Sequence, residues 1–461
     1  MKHKDVARRV FILIMSTISL LLQAGFFGFV WFKYYKPMVN GIFWIKGDIL
    51  IIAIYFVLLF FFSRMYGGMR IGYLKAWEVF FSQTISTLGG NLLIYAVISL
   101  MSAKLVPAPY ILLMSVADLA WIALWVVIAN GLYAKFFSAR KLLLVTGKRS
   151  PEDILGKFAS RPDKYNIQKT MRMEEGYDVI CQEILQAYDG VILWDISAKD
   201  RNKLLKFCYG QSIRVYLMPK IHDVLTKGAE EMHIFDTPMY LVRETALTFE
   251  ERMIKRCIDI ICSILLLVIA SPFMLITALL IKLYDKGPVL YKQVRVTRGN
   301  KEFKIMKFRS MRVDAEKDGK ARLASKNDSR ITPIGKFIRA CRIDELPQLL
   351  NILKGEMSFV GPRPERPEII KQYEENMPEF AFRTKVKAGL CGYAQVYGKY
   401  NTTPYDKLKL DLTYIENYSV WLDLKLMLLT FKTVLTPEST EGVSENQTTA
   451  LVEEAEEKEQ G

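Results

Sequence analysis

Four stretches in the first third of the sequence are long and apolar enough to constrain the fold more than any other feature. They cover residues 10–32, 49–63, 79–101 and 110–133. A helix needs about 20 apolar residues to cross the hydrocarbon core of a bilayer, so the second stretch must borrow neighbouring residues. We therefore predict a membrane protein that begins with a bundle of four transmembrane helices over residues 1–135.

Basic residues orient these helices. They cluster before the first stretch, between the second and third, and after the fourth: Lys2, Lys4, Arg8, Arg9, Arg64, Arg70, Lys75, Lys135, Arg140 and Lys141. Because cytoplasmic loops carry an excess of Lys and Arg, we expect the N-terminus, the second loop and everything after residue 135 in the cytoplasm. A cleaved signal peptide fits less well, since three more apolar stretches follow and a small-residue cleavage site is lacking.

Asp118 is the one carboxylate that stands out within the apolar stretches. An intramembrane carboxylate often marks an ion or substrate path. A single one beside the small polar Ser115 can equally bond a neighbouring helix, and we favour this structural interpretation. It argues against a transporter.

Composition narrows the partners and the chemistry. The net charge of +15 suits an acidic partner, which could be nucleic acid, anionic lipid or a phosphorylated substrate. The six cysteines form no CxxC pair, which fits a reducing compartment. No histidine follows His233, so an acid, base or nucleophile in the C-terminal half is not an imidazole.

Residues 136–245 alternate short β-rich runs with helical ones. The runs cover residues 142–145, 166–173, 190–194 and 214–218, and such alternation predicts a small parallel α/β sheet of Rossmann-like type. The loop at 146–150 could cradle a phosphate at a helix N-terminus, but it lacks the GxGxxG and P-loop spacings. A plain turn is the better interpretation, and we expect a regulatory or packing module.

A fifth apolar run, 258–281, is also long enough to span a bilayer. Its midpoint is Ser271-Pro272, where proline bends a helix and serine can bond a freed carbonyl. A kinked fifth span is one interpretation, but it would export the very basic segment 282–312, against the positive-inside bias. We predict instead a re-entrant helix, about 256–282, with both ends in the cytoplasm.

Two features complete the expected plan. Residues 420–435 are apolar with interrupting charges, which is typical of an interfacial helix, although a buried terminal helix is an alternative. The acidic segment 438–461 is expected to be a disordered tail.

Two segments of the C-terminal half carry candidate cations. In a strand over 304–311, Lys307 and Arg309 would share one face and could grip a phosphate. In the turn that follows Gly361, Arg363 stands between Pro362 and Pro364, and a fixed arginine suits bidentate phosphate recognition. A solvated strand and an exposed turn are the plainer interpretations of each alone.

Between these segments lies a pair of adjacent carboxylates. An apolar helical pattern over 334–353 contains Asp344 and Glu345 and is broken near Pro347. Adjacent residues do not share a helix face, so the two carboxylates could act separately, one as nucleophile and one on a metal. A surface acidic pair is the common alternative, but its occurrence with both basic segments indicates an enzyme site.

At these residues the chain resembles the bacterial sugar transferases, also called polyprenyl-phosphate hexose-1-phosphate transferases or monotopic phosphoglycosyl transferases. The matching motifs are KRCID at 255–259, SP at 271–272, KFRSM at 307–311, RIDELPQL at 342–349 and KGEMSFVGPRP at 354–364, with Asp411, Tyr414 and the stretch 423–425. The layout is similar to the long subtype, in which four spans and a Rossmann-like unit precede a mainly helical catalytic domain, here 246–437.

The resemblance implies transfer of a sugar 1-phosphate from a UDP-sugar to undecaprenyl phosphate, with release of UMP. This reaction would begin an exopolysaccharide, capsule or O-antigen repeat at the cytoplasmic face of the bacterial inner membrane. It further implies Mg²⁺ as cofactor and no nucleic-acid partner, and it leaves a homodimer open.

The resemblance also assigns roles to residues. Asp344 would be the nucleophile and Glu345 would help to hold Mg²⁺. The remaining site residues would bind or support the phosphates and nucleotide: Lys307, Arg309, Arg339, Pro362, Arg363, Pro364, Lys387 and Asp411. Lys387 and Tyr393 stand where the family often has arginine and tryptophan, which bears on nucleotide or sugar preference.

Two other functions remain open from the sequence. A processive membrane glycosyltransferase would release UDP instead of UMP, and a nucleotide-sensing membrane scaffold would show no turnover. The transferred sugar is not readable; galactose and glucose are the first expectations, followed by an amino sugar.

Overall fold

The computed structural model describes residues 2–39, 44–147, 149–186, 188–244, 246–312, 328, 330–398 and 402–434. These residues divide into two compact units that meet between Met218 and Pro219. The predicted acidic tail, 438–461, lies outside the described residues.

The first unit begins with four long helices. They are α1 (Lys2–Val30), α2 (Ile45–Tyr66), α3 (Ala76–Met101) and α4 (Pro109–Phe136), and all four are long and apolar enough to cross a membrane. The four predicted helices are thus confirmed as helices, and α2 extends the short 49–63 stretch at both ends. Their insertion and orientation stay predictions.

Polar side chains join these helices in their buried interior. Asn91 Nδ2 of α3 donates to Asp118 Oδ2 at 3.1 Å and to Ser115 Oγ at 2.8 Å, both on α4. Tyr55 of α2 donates to Asn91 Oδ1 at 2.5 Å. An unsatisfied polar group in hydrocarbon is costly, so these bonds match the structural interpretation of Asp118.

A parallel sheet follows in the same unit. Its elements in chain order are β1 (Arg140–Thr146), α5 (Glu152–Ala159), β2 (Tyr165–Arg172), α6 (Tyr177–Ile184), β3 (Gly190–Trp194), α7 (Ala198–Gly210) and β4 (Val215–Leu217). All neighbours are parallel in the order β2-β1-β3-β4. Central strands β1 and β3 are almost wholly buried, as expected where helices cover both faces. The predicted small parallel sheet is confirmed.

Asp5 of α1 ties the helices to this sheet. Its two carboxylate oxygens accept hydrogen bonds from Arg140 at 3.2 Å and from Arg214 at 2.5 Å. The helices and the α/β portion therefore belong to one compact unit.

The second unit is mainly helical. Its elements are α8 (Ile221–Lys227), β5 (Glu230–Ile234), β6 (Thr237–Leu241), α9 (Phe249–Asp285), β7 (Leu290–Val296), β8 (Glu302–Phe308), α10 (Pro333–Ala340), α11 (Gln348–Lys354), β9 (Ser358–Val360), α12 (Pro367–Asn376), β10 (Gly389–Cys391), α13 (Tyr393–Tyr397), α14 (Pro404–Glu416) and α15 (Val420–Val434). Strand pairs β5–β6 and β7–β8 are antiparallel, and β9–β10 is parallel. Short π- or 3₁₀-helical segments lie at Trp31–Tyr35, Lys36–Met38, Met173–Glu175, Arg298–Asn300, Ile343–Glu345 and Pro378–Lys385.

Residues 219–245 group with this second unit, whereas the sequence places them in the α/β domain. The reason is packing: Val224 of α8 is buried in the same core as Leu408 and Leu412 of α14. Leu247, just before α9, joins that core as well.

The long helix α9 contains Pro272, where the sequence predicts a bend, and remains helical on both sides of it. Pro272 lacks an N–H, so the Val268 carbonyl loses its helical donor. Ser271 Oγ donates to that carbonyl at 2.8 Å, which confirms the predicted role of serine. By length and composition α9 is a fifth helix able to cross a membrane; its re-entrant path stays a prediction.

Candidate active site

The backbone between α10 and α11 presents the Asp344-Glu345 pair. Arg342 adopts a left-handed conformation with φ of 56°, which ends the helical course of α10. A single 3₁₀ turn, Ile343–Glu345, follows, and α11 starts only after Pro347. The break predicted near Pro347 is confirmed, and it separates the two carboxylates from both helices.

Asp344 is buried, with the charges of Glu345, Lys307, Arg339 and Arg342 nearby. Only 8% of the residue is exposed, and the preceding Ile343 packs against the cluster of Ile281, Phe308 and Ile338. Its Oδ1 atom is buried and has no hydrogen-bond partner among the described residues. Burial and the neighbouring Glu345 carboxylate raise the pKa of Asp344 to about 6.

Glu345 is also buried, but unlike Asp344 it forms direct ion pairs. Its Oε1 lies 2.9 Å from Lys307 Nζ, 3.3 Å from an Arg363 guanidinium nitrogen and 3.8 Å from one of Arg342. Burial alone would raise the pKa of Glu345, but the charges of Lys307, Arg363 and Arg342 outweigh it and hold the pKa far below its usual range. The pair therefore combines a permanently ionised carboxylate with one that titrates near neutrality.

Arg363 is fixed by the turn that follows β9. Gly361 lies against the Lys387 carbonyl, where a Cβ would collide. The Pro362 carbonyl accepts a hydrogen bond from the Gly389 N–H at 2.9 Å, and Pro364 restricts the backbone of Arg363 to extended conformations. The turn thus holds the Arg363 guanidinium beside Glu345. Because its backbone is already fixed, Arg363 loses little conformational entropy when it binds a ligand.

A buried ion pair supports that turn from behind. Arg383 Nε donates to Asp411 Oδ2 at 2.6 Å, and its Nη2 donates to the Arg363 carbonyl at 3.1 Å. Asp411 thus acts on the turn through Arg383, which the sequence analysis missed. A buried Asp411 requires a cation, but no local pattern singles out Arg383.

A small pocket of about 20 Å³ adjoins the turn. Its charged lining residues are Arg363, Glu365 and Arg383. Glu365 forms an ion pair with Lys407; burial would raise the pKa of Glu365, but Lys407 and Arg383 lower it to about 2. Glu365 and Lys407 were also missed by the sequence analysis.

The other predicted site residues lie in three places. Arg339 is close enough to Asp344 for its charge to lower that carboxyl's pKa. Arg309 lies beyond the end of β8, which stops at Phe308 instead of continuing to residue 311. Its guanidinium lies against Gly287 and, with Tyr284, lines a smaller pocket of about 10 Å³, so Lys307 and Arg309 contact different surroundings.

Lys387 lies beside Gly355. Burial and the charge of Arg256 lower its pKa. The structure therefore gathers Asp344, Glu345, Lys307, Arg339 and Arg363 around one point, supports them through Asp411, and places Arg309 and Lys387 elsewhere.

The carboxylate pair suits a magnesium ion. No group of three His, Cys, Asp or Glu side chains that could hold a metal occurs among the described residues. Mg²⁺, however, is commonly bound by one or two protein carboxylates together with water and substrate phosphates. The adjacent carboxylates fit that donor set, since Asp344 Oδ1 is buried and no residue that the structure describes donates to it.

The sequence was compared with known proteins. A sequence model described as bacterial sugar transferase matches residues 250–437. The UDP-N-acetylgalactosamine-undecaprenyl-phosphate N-acetylgalactosaminephosphotransferase of Aeromonas hydrophila is 38% identical over 54% of this chain and 59% of its own length. The UDP-glucose:undecaprenyl-phosphate glucose-1-phosphate transferase of Klebsiella pneumoniae is 40% identical over 45% of each chain.

A shorter relative is matched over more of its length. The putative undecaprenyl-phosphate N-acetylgalactosaminyl 1-phosphate transferase of Bacillus subtilis is 51% identical over 28% of this chain and 72% of its own. The match to the first two relatives, by contrast, spans about half of their length.

Proposed function

Since the chain belongs to the bacterial sugar transferase family, we propose that it transfers a sugar 1-phosphate from a UDP-sugar to undecaprenyl phosphate and releases UMP. The product would begin an exopolysaccharide, capsule or O-antigen repeat. The observation that carries the proposal is the Asp344-Glu345 pair. In it, one buried carboxylate oxygen has no donor within the described part of the chain, while the neighbouring carboxylate holds three cations in place.

Asp344 is the proposed nucleophile. Its carboxylate oxygen forms a bond to the sugar-linked phosphorus while the bond from that phosphorus to the UMP oxygen breaks, so that UMP leaves with the bonding electrons. An oxygen of undecaprenyl phosphate then attacks the same phosphorus, and the aspartyl oxygen leaves. A desolvated carboxylate with one open oxygen is suited to both steps, since little solvation is lost on attack.

The neighbouring cations bind and orient the diphosphate. Lys307 and Arg363 both contact Glu345 Oε1, and each can turn a remaining N–H toward a phosphate oxygen. Arg339 adds positive charge on the Asp344 side. Glu345 would help to hold Mg²⁺, which when bound offsets the negative charge of the diphosphate that a carboxylate nucleophile otherwise meets.

The course of α9 supports a site at the membrane surface. Arg256, near its start, donates to the carbonyls of Ile352 and Leu353 in α11 at 2.6 and 2.7 Å. Ile281, near its end, packs with Ile338 of α10. A straight helix would rise roughly 37 Å between residues 256 and 281, so contacts from both ends to adjacent elements of one unit favour a re-entrant bend at Pro272.

The proposed orientation places this unit in the cytoplasm of a bacterium, at the inner membrane. UDP-sugars are cytoplasmic, and the acceptor phosphate lies at the bilayer surface. A re-entrant α9 would bring Ile343 and Asp344 next to that surface because Ile343 packs beside Ile281.

UMP release by purified protein in lipid tests the proposal. A panel of UDP-sugars should include N-acetylgalactosamine, glucose and galactose derivatives, with undecaprenyl phosphate as acceptor. Asp344→Asn removes the nucleophilic charge at nearly equal volume, so we expect UMP release to fall by about 1,000-fold or more. Asp236→Asn, an exposed position between β5 and β6, is the matched control and should retain activity.

The same assay separates the other functions. Release of UDP in place of UMP would indicate a processive glycosyltransferase, and no turnover with any donor would favour a scaffold. Full activity of Asp344→Asn would overturn the aspartyl mechanism, and unchanged UMP release in excess chelator would overturn the Mg²⁺ assignment.

A further inference from the structure

Lys387 is a half-buried cation beside Gly355 that the proposed reaction does not use. Gly355 follows α11 and has a left-handed backbone with φ of 83°. The position that a side chain of residue 355 would occupy lies 3.6 Å from Lys387 Nζ and 3.6 Å from Arg256 Nη2. Because glycine has no side chain, this position is open between the two cations. We call Arg256, Gly355 and Lys387 the Gly355 cluster.

Positive charge predominates around the cluster. Burial and the charge of Arg256 lower the pKa of Lys387, and the charges of Arg298 and Lys255 act in the same direction. The charge of Asp259 opposes them without outweighing them. Folding therefore brings like charges together at an electrostatic cost, which a bound anion would offset.

The carboxylates near the cluster already have other partners. Asp259 Oδ1 accepts hydrogen bonds from Ser358 Oγ and from the Phe359 N–H, both at 2.9 Å. Glu356, next to Gly355, accepts a hydrogen bond from Asn351 Nδ2 at 2.6 Å. Among the residues that the structure describes, no carboxylate forms an ion pair with Lys387.

The end of α11 explains only one of the two cations. The last carbonyls of a helix favour positive charge, and Arg256 donates to the carbonyls of Ile352 and Leu353 at 2.6 and 2.7 Å. These bonds use two of the five guanidinium N–H groups, so others remain for a ligand. Lys387 donates to no α11 carbonyl in the described part of the chain, so the helix end does not account for it.

The cluster lies where α9 would enter the membrane. Arg256 is in the second turn of that helix, and large apolar side chains are exposed further along it, from Ile261 to Leu283. The start of α9 lies at the membrane surface whether the helix is re-entrant or crosses the bilayer. Charged lipid headgroups lie at this level and attract lysine and arginine, which bind phosphate oxygens by charge-assisted hydrogen bonds.

We propose that the Gly355 cluster is a second phosphate site, which binds the phosphate of a membrane lipid through Arg256 and Lys387. It is separate from the carboxylate pair, because the seven residues of α11 lie between them and rise about 10 Å. Two kinds of lipid carry a suitable group: anionic phospholipids and the polyprenyl phosphate acceptor of the proposed reaction. The binding chemistry is the same for both.

Lipid retention by the full-length chain tests the site without turnover. Nanodiscs contain phosphatidylglycerol and phosphatidylcholine in equal parts with added undecaprenyl phosphate, and native mass spectrometry measures the lipids that the released protein keeps. Lys387→Gln should keep about five- to tenfold less of one anionic lipid than wild type. Lys387→Arg retains the charge and should bind like wild type. Lys385→Gln, an exposed position two residues earlier, is the matched control and should also bind like wild type.

The lipid that Lys387→Gln loses identifies the source of the phosphate. Loss of phosphatidylglycerol alone assigns the site to a phospholipid headgroup. Loss of undecaprenyl phosphate, together with a higher KM for this acceptor in UMP release, assigns it to the acceptor. Either result supports a lipid-phosphate site.

A purely structural role for Lys387 makes a different prediction. If its charge only stabilised the fold, Lys387→Gln would lower the melting temperature in phosphatidylcholine alone. Because neighbouring cations repel Lys387, we expect the variant to melt no lower than wild type there. Addition of the bound lipid should raise the melting temperature of wild type more than that of the variant.

Two results would overturn the inference. One is retention of both anionic lipids by Lys387→Gln at the wild-type level, whatever its melting temperature. The other is an equal loss in Lys385→Gln, which would show attraction to general surface charge. Neither bears on whether wild type releases UMP from a UDP-sugar, so failure of this inference is distinguishable from failure of the proposed function.

Discussion

Asp344 and Glu345 are adjacent in sequence, yet their surroundings shift the two carboxyl pKa values in opposite directions. Burial and a neighbouring negative charge disfavour ionisation of Asp344, while three cations favour it for Glu345 despite burial. A nucleophile needs the ionised form, so the pKa of about 6 places Asp344 just on the active side at neutral pH. Glu345 remains ionised throughout and keeps Lys307 and Arg363 in position.

This difference predicts a pH profile for the first half-reaction. UMP release in a single turnover without lipid acceptor should have its midpoint near pH 6, and below it the rate should fall by about tenfold per pH unit as Asp344 is protonated. Lys307→Gln removes a charge that lowers the Asp344 pKa, so its midpoint should move to higher pH. A flat wild-type profile between about pH 5 and pH 8 would contradict the assignment of Asp344 as an ionised nucleophile.

The site residues that could be predicted from the sequence are those marked by a local signal in their own segment. Asp344, Glu345 and Arg363 each occur in a segment with a local break or a proline-bounded turn, so composition and spacing indicated them. Arg383 and Glu365 escaped because their roles depend on partners in distant elements, Asp411 and Lys407. A single arginine or glutamate carries no local signal of a contact that only the tertiary fold creates.

At the scale of elements, the predictions that held rest on strong local physics. Long apolar stretches predicted the four helices, and the alternation of β-rich and helical runs predicted the parallel sheet. Pro347 predicted the break before α11. The end of β8 at Phe308 was not predictable, because it depends on how the following chain leaves the β7–β8 hairpin. That α8 belongs to the second unit was not predictable either, because it depends on Val224 packing against α14.

The path of α9 is the element whose prediction most needs a test. In a cysteine-free background with retained activity, single cysteines are placed by Glu250→Cys in the first turn of α9 and by Lys292→Cys in β7, both at exposed positions. If α9 is re-entrant, a membrane-impermeant thiol reagent should label both from the cytoplasmic side of sealed vesicles and neither from the other side.

A cysteine at Arg64→Cys, exposed near the end of α2 and predicted to be cytoplasmic, gives the matched control for vesicle orientation. Labelling of positions 250 and 292 from opposite sides would show that α9 crosses the bilayer. Pro272 would then be a kink in a fifth span, and the positive-inside argument would fail for the basic segment after it.

At the scale of the whole molecule, the two compact units divide the protein differently from its sequence-predicted plan. The four helices and the parallel sheet form one unit, joined through Asp5, Arg140 and Arg214. The segment matched by the family lies wholly within the second unit. Charge patterns and apolar runs marked where elements begin, but they could not show which core each element joins.

This division predicts that the second unit alone carries the chemistry. A fragment of residues 219–461 contains α9, the carboxylate pair, the cations around it and a core that includes Val224, Phe303 and Leu412. Expressed in membranes, it should release UMP with a kcat within about tenfold of the full chain, and the same fragment with Asp344→Asn should not. A fragment that is membrane-bound and folded, yet at least about 100-fold less active, would show that the first unit contributes directly to catalysis.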